Sequence, residues 1–306
     1  MAALRRAGRQ MYFRPSATRE LPSYLNSTAV HERREISGAA GSVPFGRVHA
    51  IKTFRETGGE TQLAVFIQGC HMRCCYCHDV SSWSAESPDT KWMTADRVLE
   101  IALRSRDFRK RPSREEGAGG IVVAGGEPLL QIDFLVDLMR KAGQKHIYTC
   151  LHTTGEPFQS EGPWFERFQE LMTCTDLVVA DIKHIDPEIH REMTGRSNES
   201  VLEMFRYLDR IHKPVIIRYV LVPGLTDDVP VADKSGRIDR DYYLKKTKAF
   251  VDTLSNVRRL DVYPYHTEGT DQWEKLGIQF PLKGVEPPSE ERLENARRIL
   301  TICRKK

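Results

Sequence analysis

Short apolar runs rich in Val, Ile and Leu recur along the chain, and each is bounded by Gly or polar residues. Continuous apolar runs of this length predict strands that are buried on both faces, as in a parallel sheet. The six predicted strands are residues 62–68, 120–124, 146–151, 176–181, 214–221 and 259–264.

Amphipathic helical patterns lie between these runs. The apolar positions of residues 131–142 follow the i, i+3, i+4, i+7 spacing, and Gly143 is placed to end that helix. The same spacing recurs over residues 201–211, with Asn198 placed as the N-cap, and a last helix is predicted to start at Ser289. Strands that alternate with helices predict an α/β fold with a parallel sheet and right-handed crossovers. Periodicity leaves two architectures open, a doubly wound sheet and a complete or partial barrel.

Polar and Gly-rich segments follow every predicted strand. In both architectures the ligand site lies at the carboxyl ends of the strands, so these segments predict where the site is. They are Gln68-Gly69-Cys70, Gly125-Gly126-Glu127-Pro128, His152-Thr153-Thr154-Gly155, Asp181-Ile182-Lys183, Pro223-Gly224 and His266.

The overall composition is that of a globular protein. The chain has 306 residues, of which 40% are hydrophobic and 29% charged, and its mean hydropathy is −0.47. No apolar run approaches the roughly 20 residues of a membrane helix. The first residues also lack the apolar core of a secretory signal. We therefore expect a cytoplasmic protein without a membrane partner.

The net charge of +4 comes entirely from the first 45 residues, which hold seven Arg and three Glu. The rest of the chain is balanced, so it carries no global signature of nucleic-acid binding. The sequence therefore predicts a basic N-terminal extension, residues 1–45, followed by one domain, residues 46–306. Because the first 19 residues are Arg-rich and acid-poor, they fit an organelle-targeting segment, but they fit a solvated tail equally well.

Four of the seven cysteines fall in residues 70–77. An odd, front-clustered set is a poor disulfide framework and favours a reducing compartment. Cys70, Cys74 and Cys77 form a C-x3-C-x2-C loop that can occupy three corners of a metal site and leave the fourth open. Two alternatives follow. One is an iron–sulfur cluster with one free iron. The other is a structural zinc whose fourth ligand comes from Cys75 or a neighbouring His. We interpret Cys75, Cys150, Cys174 and Cys303 as small buried residues.

This loop, together with the Gly-Gly-Glu motif after the next strand, resembles the radical S-adenosylmethionine superfamily. Within it, several segments are similar to the pyruvate formate-lyase activating enzyme family, which activates a glycyl radical enzyme. The match runs in order from about Gly46, and no eight-cysteine ferredoxin-like insert follows the loop. The segments are GRVH (46–49), FIQGCHMRCCYCHD (66–79), AGGEPLLQ (124–131), TDLVVADIK (175–183), GRSN (195–198), IRYVLVPG (217–224) and YPYH (263–266).

The resemblance implies a partial (β/α)6 TIM-like barrel and a four-iron four-sulfur cluster held by Cys70, Cys74 and Cys77. The open iron would chelate the amino and carboxylate groups of S-adenosylmethionine. One-electron reduction, with a flavodoxin or ferredoxin as donor, would yield a 5′-deoxyadenosyl radical. That radical would remove a hydrogen from the Cα of one glycine in pyruvate formate-lyase. We expect the activase itself to be a monomer.

The resemblance also implies site residues. Lys183 is expected to act in catalysis and in cofactor binding, and the other cofactor-binding residues are Tyr76, Gly125, Gly126, Glu127, Arg218 and His266. Each has a structural alternative: the glycines can serve a tight turn, and Arg218 can be neutralised by an internal ion pair. For His266 the alternative is a histidine hydrogen-bonded at the end of a strand.

Two stretches depart from the family pattern. Residues 56–60 replace its Asp-Gly-Pro-Gly stretch, and His152 stands where an aspartate helps to bind a monovalent cation. Thr153 and Asp181 remain as candidate cation ligands. For His152 two states stay open, an imidazolium beside Asp181 and a neutral ring. A zinc-binding protein without enzymatic activity is the rival function from a different class.

Overall fold

The computed structural model describes residues 43–55, 61–88, 90–104 and 120–302. Residues 1–42 of the predicted extension lie outside these ranges. Its last three residues, 43–45, are described, and a strand starts at Phe45. Residues 56–60 and Cys303 also lie outside the described ranges.

One mixed sheet of eight strands organises the described residues, with the strand order β10-β7-β6-β5-β4-β2-β1-β3. A separate two-stranded ribbon is formed by β8 and β9. The strands are β1 (Phe45–Arg55), β2 (Thr61–Ile67), β3 (Lys91–Thr94), β4 (Gly120–Gly125), β5 (Tyr148–Thr153), β6 (Leu177–Asp181), β7 (Val215–Leu221), β8 (Val231–Ala232), β9 (Ile238–Asp239) and β10 (Val257–Pro264).

Six neighbouring strands, β2, β4, β5, β6, β7 and β10, are all parallel and lie in chain order. This is the arrangement of a partial (β/α)6 barrel, and all six predicted strands are confirmed. The helices of the described ranges are α1 (Ala95–Arg104), α2 (Ile132–Gln144), α3 (Gly162–Cys174), α4 (Pro187–Thr194), α5 (Glu199–Arg210), α6 (Tyr242–Val251), α7 (Thr270–Lys275) and α8 (Glu290–Leu300).

The predicted helix ends are close to those observed. Ser289 caps α8, since its side chain accepts a hydrogen bond from the Arg292 amide. Asn198 occupies the N-cap of α5, but its side chain makes no capping hydrogen bond and donates instead to the His184 and Ile185 carbonyls. Gly143 does not end α2, which continues to Gln144.

The antiparallel strands β1 and β3 were not predicted. β1 pairs with β2 along most of its length, and the short β3 adds an edge to β1. Apart from Gly46 and Val48, the β1 residues whose burial is described are partly or fully exposed, so they lack the continuous apolar run that identifies a buried strand.

The sheet has an apolar core on each face. The larger core lies between the sheet and its helices and includes Ile217, Tyr219 and Leu221 of β7. The smaller core fills the inner face of the barrel with Val122, Cys150, Leu177, Val179 and Ile216. Within the described ranges, no helix is both long enough and apolar enough to span a membrane.

Candidate active site

The cysteine loop leaves β2 at its carboxyl end and is held there by hydrogen bonds. The buried Gln68 side chain donates to the Ser81 and Ser84 carbonyls at 2.8 and 2.9 Å. The Gly69 amide donates to the Ser82 carbonyl at 2.9 Å. These bonds fold the chain after the loop back against the end of the strand.

The other side of the loop is tied to α4 and α7. The Arg73 and Cys75 amides donate to the Thr194 and Met193 carbonyls at 2.7 and 2.8 Å. The Trp273 indole donates to the Cys77 carbonyl at 2.9 Å. Two backbone carbonyls of α4 and the Trp273 indole of α7 therefore hold the loop from two distant helices.

All six described cysteines are free thiols. Burial raises the pKa of Cys70, and the charge of Cys74 raises it further. Burial likewise raises the pKa of Cys74, and for Cys77 burial and the charge of Cys74 raise the pKa to about 12. Burial and the neighbouring thiolate charge both disfavour ionisation, so these thiols need a cationic partner to ionise.

Soft thiolate ligands inside an apolar wall suit an iron–sulfur cluster, because bound iron supplies the positive charge that the thiolates need. The wall consists of Val80, Trp83 and Trp273, against which Cys70 and Cys77 pack. Trp83 thus packs over the loop. Within the described residues, no three His, Cys, Asp or Glu side chains converge to hold a single metal ion.

The remaining described cysteines do not join the loop thiols. Cys75 faces away into an apolar cluster with Met193, Val222 and Tyr265. Cys150 is buried in the inner core, as predicted. Cys174 is only half-buried, because it ends α3, where its thiol donates to the Glu170 carbonyl.

The Gly-Gly-Glu motif packs directly against the base of the cysteine loop. A Cβ on Gly125 would lie 2.4 Å from the Ile67 nitrogen, and one on Gly126 would lie 2.2 Å from the Gly69 oxygen. Gly125 also has a φ of +112°. Close approach between two strand ends is therefore one reason for glycine at both positions.

The Glu127 carboxylate is buried and accepts four hydrogen bonds. Its donors are the Leu129 amide at 2.9 Å, the Thr153 hydroxyl at 2.6 Å, and the Thr154 amide and hydroxyl at 2.7 and 2.5 Å. Burial raises the pKa of Glu127, and the threonine hydrogen bonds oppose that effect. Both oxygens are used to join the end of β4 to the end of β5.

A polar layer lies above the inner apolar core at the carboxyl ends of the strands. Alternation along the strands places His152, Asp181 and Arg218 on the same inner face as Cys150, Val179 and Ile216. Lys183 lies 3.4 Å from Asp181, and its Nζ lies 5.7 Å from the centre of the Tyr76 ring. Burial lowers the pKa of Lys183, but the charges of Asp181 and the Cys74 thiolate outweigh burial, and the pKa is raised.

Two polar atoms in this layer are buried without a partner, the Tyr76 hydroxyl and the Arg218 Nε. Among the described residues Arg218 forms no ion pair, so the internal salt bridge expected as an alternative is not found there. Orphaned buried donors are rare and indicate a missing partner. The residues present therefore fit a cofactor that brings an anionic, hydrogen-bonding group beside the cysteine loop.

The predicted cation ligands do not converge. The Thr153 hydroxyl donates to Glu127 and accepts from the Gly155 amide, whereas Asp181 faces Lys183. Burial and the charge of Arg218 lower the pKa of His152 to about 4, and Asp181 opposes them only in part. Of the two states considered for His152, the structure thus favours the neutral ring.

His266 is exposed at the rim of the site, with its ring centre 6.0 Å from that of His78. Two inner-face residues were missed by the sequence analysis, Asp261 and Tyr263. The signal was present, since these residues flank the buried Val262 at strand spacing. They lie inside the segment that ends in the YPYH motif.

The family model described as "Radical SAM superfamily" matches residues 64–233. A pyruvate formate-lyase-activating enzyme from Streptococcus mutans is 42% identical over 256 residues, which cover 83% of this chain and 90% of that protein. One from Listeria monocytogenes is 36% identical and covers 84% of this chain and 96% of that protein.

A solved structure shows the same fold at low sequence identity. Streptococcus suis SuiB bound to precursor peptide SuiA is 15% identical, has a TM-score of 0.51, and covers 75% of this chain and 46% of that chain. The two activating enzymes show the family as well as the fold, because each is more than 30% identical over more than four fifths of the chain. This chain belongs to the radical SAM superfamily and, within it, to the family of pyruvate formate-lyase-activating enzymes.

Proposed function

We propose that this chain is a radical SAM activase that takes a hydrogen from a glycine Cα of a glycyl radical enzyme, pyruvate formate-lyase. The observation that carries the proposal is the placement of the three loop thiols, held at the carboxyl end of β2 beside a polar layer with unpartnered buried donors. Similarity to activating enzymes over most of the chain supports it.

Membership of the superfamily implies a four-iron four-sulfur cluster and S-adenosylmethionine as cofactors. We assign Cys70, Cys74 and Cys77 to the cluster. When bound and reduced, these cofactors together supply the 5′-deoxyadenosyl radical. The chain's own contribution is to hold the loop rigid and to keep water from the thiols with an apolar wall.

We assign the remaining cofactor contacts to the polar layer and its rim. Arg218 and Lys183 supply positive charge for a carboxylate, and Tyr76 supplies an aromatic face and a free hydroxyl. The Gly125-Gly126-Glu127 backbone and His266 complete the predicted set. Because the Glu127 side chain is fully hydrogen-bonded within the protein, its part is to fix the backbone.

A flavodoxin or ferredoxin is the proposed electron donor, and the activase is proposed to act as a cytoplasmic monomer without nucleic-acid or membrane partners. Residues 46–306 are proposed to form the catalytic domain and residues 1–45 an extension. For a monovalent cation we propose Asp181 as the main oxygen ligand. The nearby Lys183 ammonium competes for that carboxylate, so we expect the cation to have little effect.

Anaerobic reconstitution with iron and sulfide tests this function. The expected product is a brown protein with about four irons that cleaves S-adenosylmethionine on reduction. Mixed with pyruvate formate-lyase, it should give a glycyl radical signal in electron paramagnetic resonance. A partner variant with alanine at the target glycine should give none.

Other outcomes contradict the proposal in distinguishable ways. Colourless protein with one bound zinc would support the zinc-binding alternative. Cofactor cleavage without a glycyl radical would leave a radical SAM enzyme with a different substrate.

A further inference from the structure

Arg218 lies between two carboxylates in the sheet but is neutralised by neither. In the strand register Asp181 of β6 and Asp261 of β10 are its direct neighbours. Asp181 pairs with Lys183 at 3.4 Å, and both Asp261 carboxylate oxygens accept from the Arg259 Nε at 2.9 Å. The Arg218 charge is therefore left for a group that enters the site.

The guanidinium packs on one aromatic ring. Its Cζ lies 4.9 Å from the centre of the Tyr263 ring, and its Nε is buried without a hydrogen-bond partner. Tyr263 lies on the inner face of β10, next to the strand's last residue, and it is 42% exposed. It thus stands at the open edge of the barrel, where a ligand can reach the guanidinium.

A guanidinium stacked on a ring is held by its face, so the N–H groups around its edge stay free to bind a carboxylate in two-pronged fashion. We propose that Tyr263 is a positioning residue that holds Arg218 ready for the carboxylate of S-adenosylmethionine. The inference rests on the cofactor role proposed above for Arg218. It adds a residue for which the sequence analysis gave no function.

The test compares cofactor affinities of anaerobically reconstituted holoprotein, measured by calorimetric titration. Tyr263→Leu removes the ring and should raise the S-adenosylmethionine Kd roughly three- to tenfold, the size of a partly desolvated cation–π contact. Tyr263→Phe is the matched control, which keeps the ring and should leave the Kd unchanged. Equal iron content and equal melting temperature establish that the variants are folded.

Two further measurements separate positioning from a general structural effect. In an Arg218→Met background, Tyr263→Leu should have no additional effect on Kd. Decarboxylated S-adenosylmethionine, which lacks the carboxylate, should bind the parent protein and Tyr263→Leu equally well. An undiminished effect in either measurement would overturn the inference, as would an unchanged Kd in Tyr263→Leu itself.

The proposed function has its own indicator in the same series. If Arg218→Met leaves the S-adenosylmethionine Kd unchanged, the cofactor role of Arg218 is wrong and the positioning role of Tyr263 falls with it. If Arg218→Met weakens binding while Tyr263→Leu does not, only the positioning role is wrong.

Discussion

Asp181 and Arg218 are register partners in neighbouring parallel strands, yet the Asp181 carboxylate turns to Lys183 instead of Arg218. Among the described residues Arg218 therefore has no ion-pair partner, although Asp181 and Asp261 are its neighbours in the strand register. Unpaired charge in such a setting is costly unless a ligand neutralises it. An anionic group of the proposed cofactor is the partner that we expect for Arg218.

Replacing one of the three loop thiols should affect the cluster, whereas replacing the neighbouring Cys75 should not. Cys70→Ser, Cys74→Ser and Cys77→Ser should each abolish the cluster, because a serine hydroxyl is a poor substitute for a soft thiolate. Cys75→Ser should keep it, since Cys75 faces an apolar cluster. Iron content and the visible absorbance of reconstituted protein measure the difference. Retention in Cys74→Ser with loss in Cys75→Ser would overturn the assignment.

Gly126→Ala should displace the cysteine loop. The new Cβ would lie 2.2 Å from the Gly69 oxygen, which is backbone and cannot rotate away. We expect a lowered melting temperature and reduced iron content. Gly236→Ala is the control, because nothing lies within 4 Å of its Cβ and only its φ of +84° adds strain, about 1 kcal/mol. Full iron content in Gly126→Ala would contradict the tight fit.

Glu127→Gln tests whether this carboxylate is structural. Replacing either oxygen by NH2 would set a donor against backbone and hydroxyl donors. We expect the free energy of unfolding to fall by about 1–3 kcal/mol, the cost of one unsatisfied buried group. The exposed Glu192→Gln should change it by less than about 0.5 kcal/mol. Unchanged stability with a raised cofactor Kd would instead place Glu127 in direct contact with the ligand.

The pattern of apolar and polar residues predicted the parallel part of the fold and placed the candidate site at the carboxyl ends of its strands. The six buried strands could be predicted because parallel strands carry continuous apolar runs. β1 could not be predicted, because most of its described side chains are partly exposed and form no continuous apolar run. The partner of a side chain was the least predictable feature. Thr153 bonds to Glu127, and Asp181 to Lys183, through contacts between different strands that no local spacing encodes.

His152 should contribute nothing to the pH dependence of cofactor binding in the neutral pH range. Burial and the Arg218 charge lower its pKa to about 4, so the ring carries no charge between pH 6 and 8. The S-adenosylmethionine Kd of the holoprotein should therefore have the same pH profile in the parent and in His152→Asn over this range. A loss of affinity with rising pH that disappears in His152→Asn would show an imidazolium, and the neutral assignment would be wrong.

The last prediction concerns monovalent cations. The parent protein should respond weakly to sodium or potassium, because a neutral imidazole is a poor ligand for a hard cation and Lys183 already occupies Asp181. His152→Asp would place a second carboxylate on the inner face of β5, beside the strand that carries Asp181. Two carboxylates there would attract a cation, so activity and S-adenosylmethionine affinity should become dependent on its concentration. His152→Asn has the size of aspartate without its charge and should stay insensitive. Strong cation activation of the parent, or the same response in both variants, would contradict the idea that His152 weakens cation binding at this position.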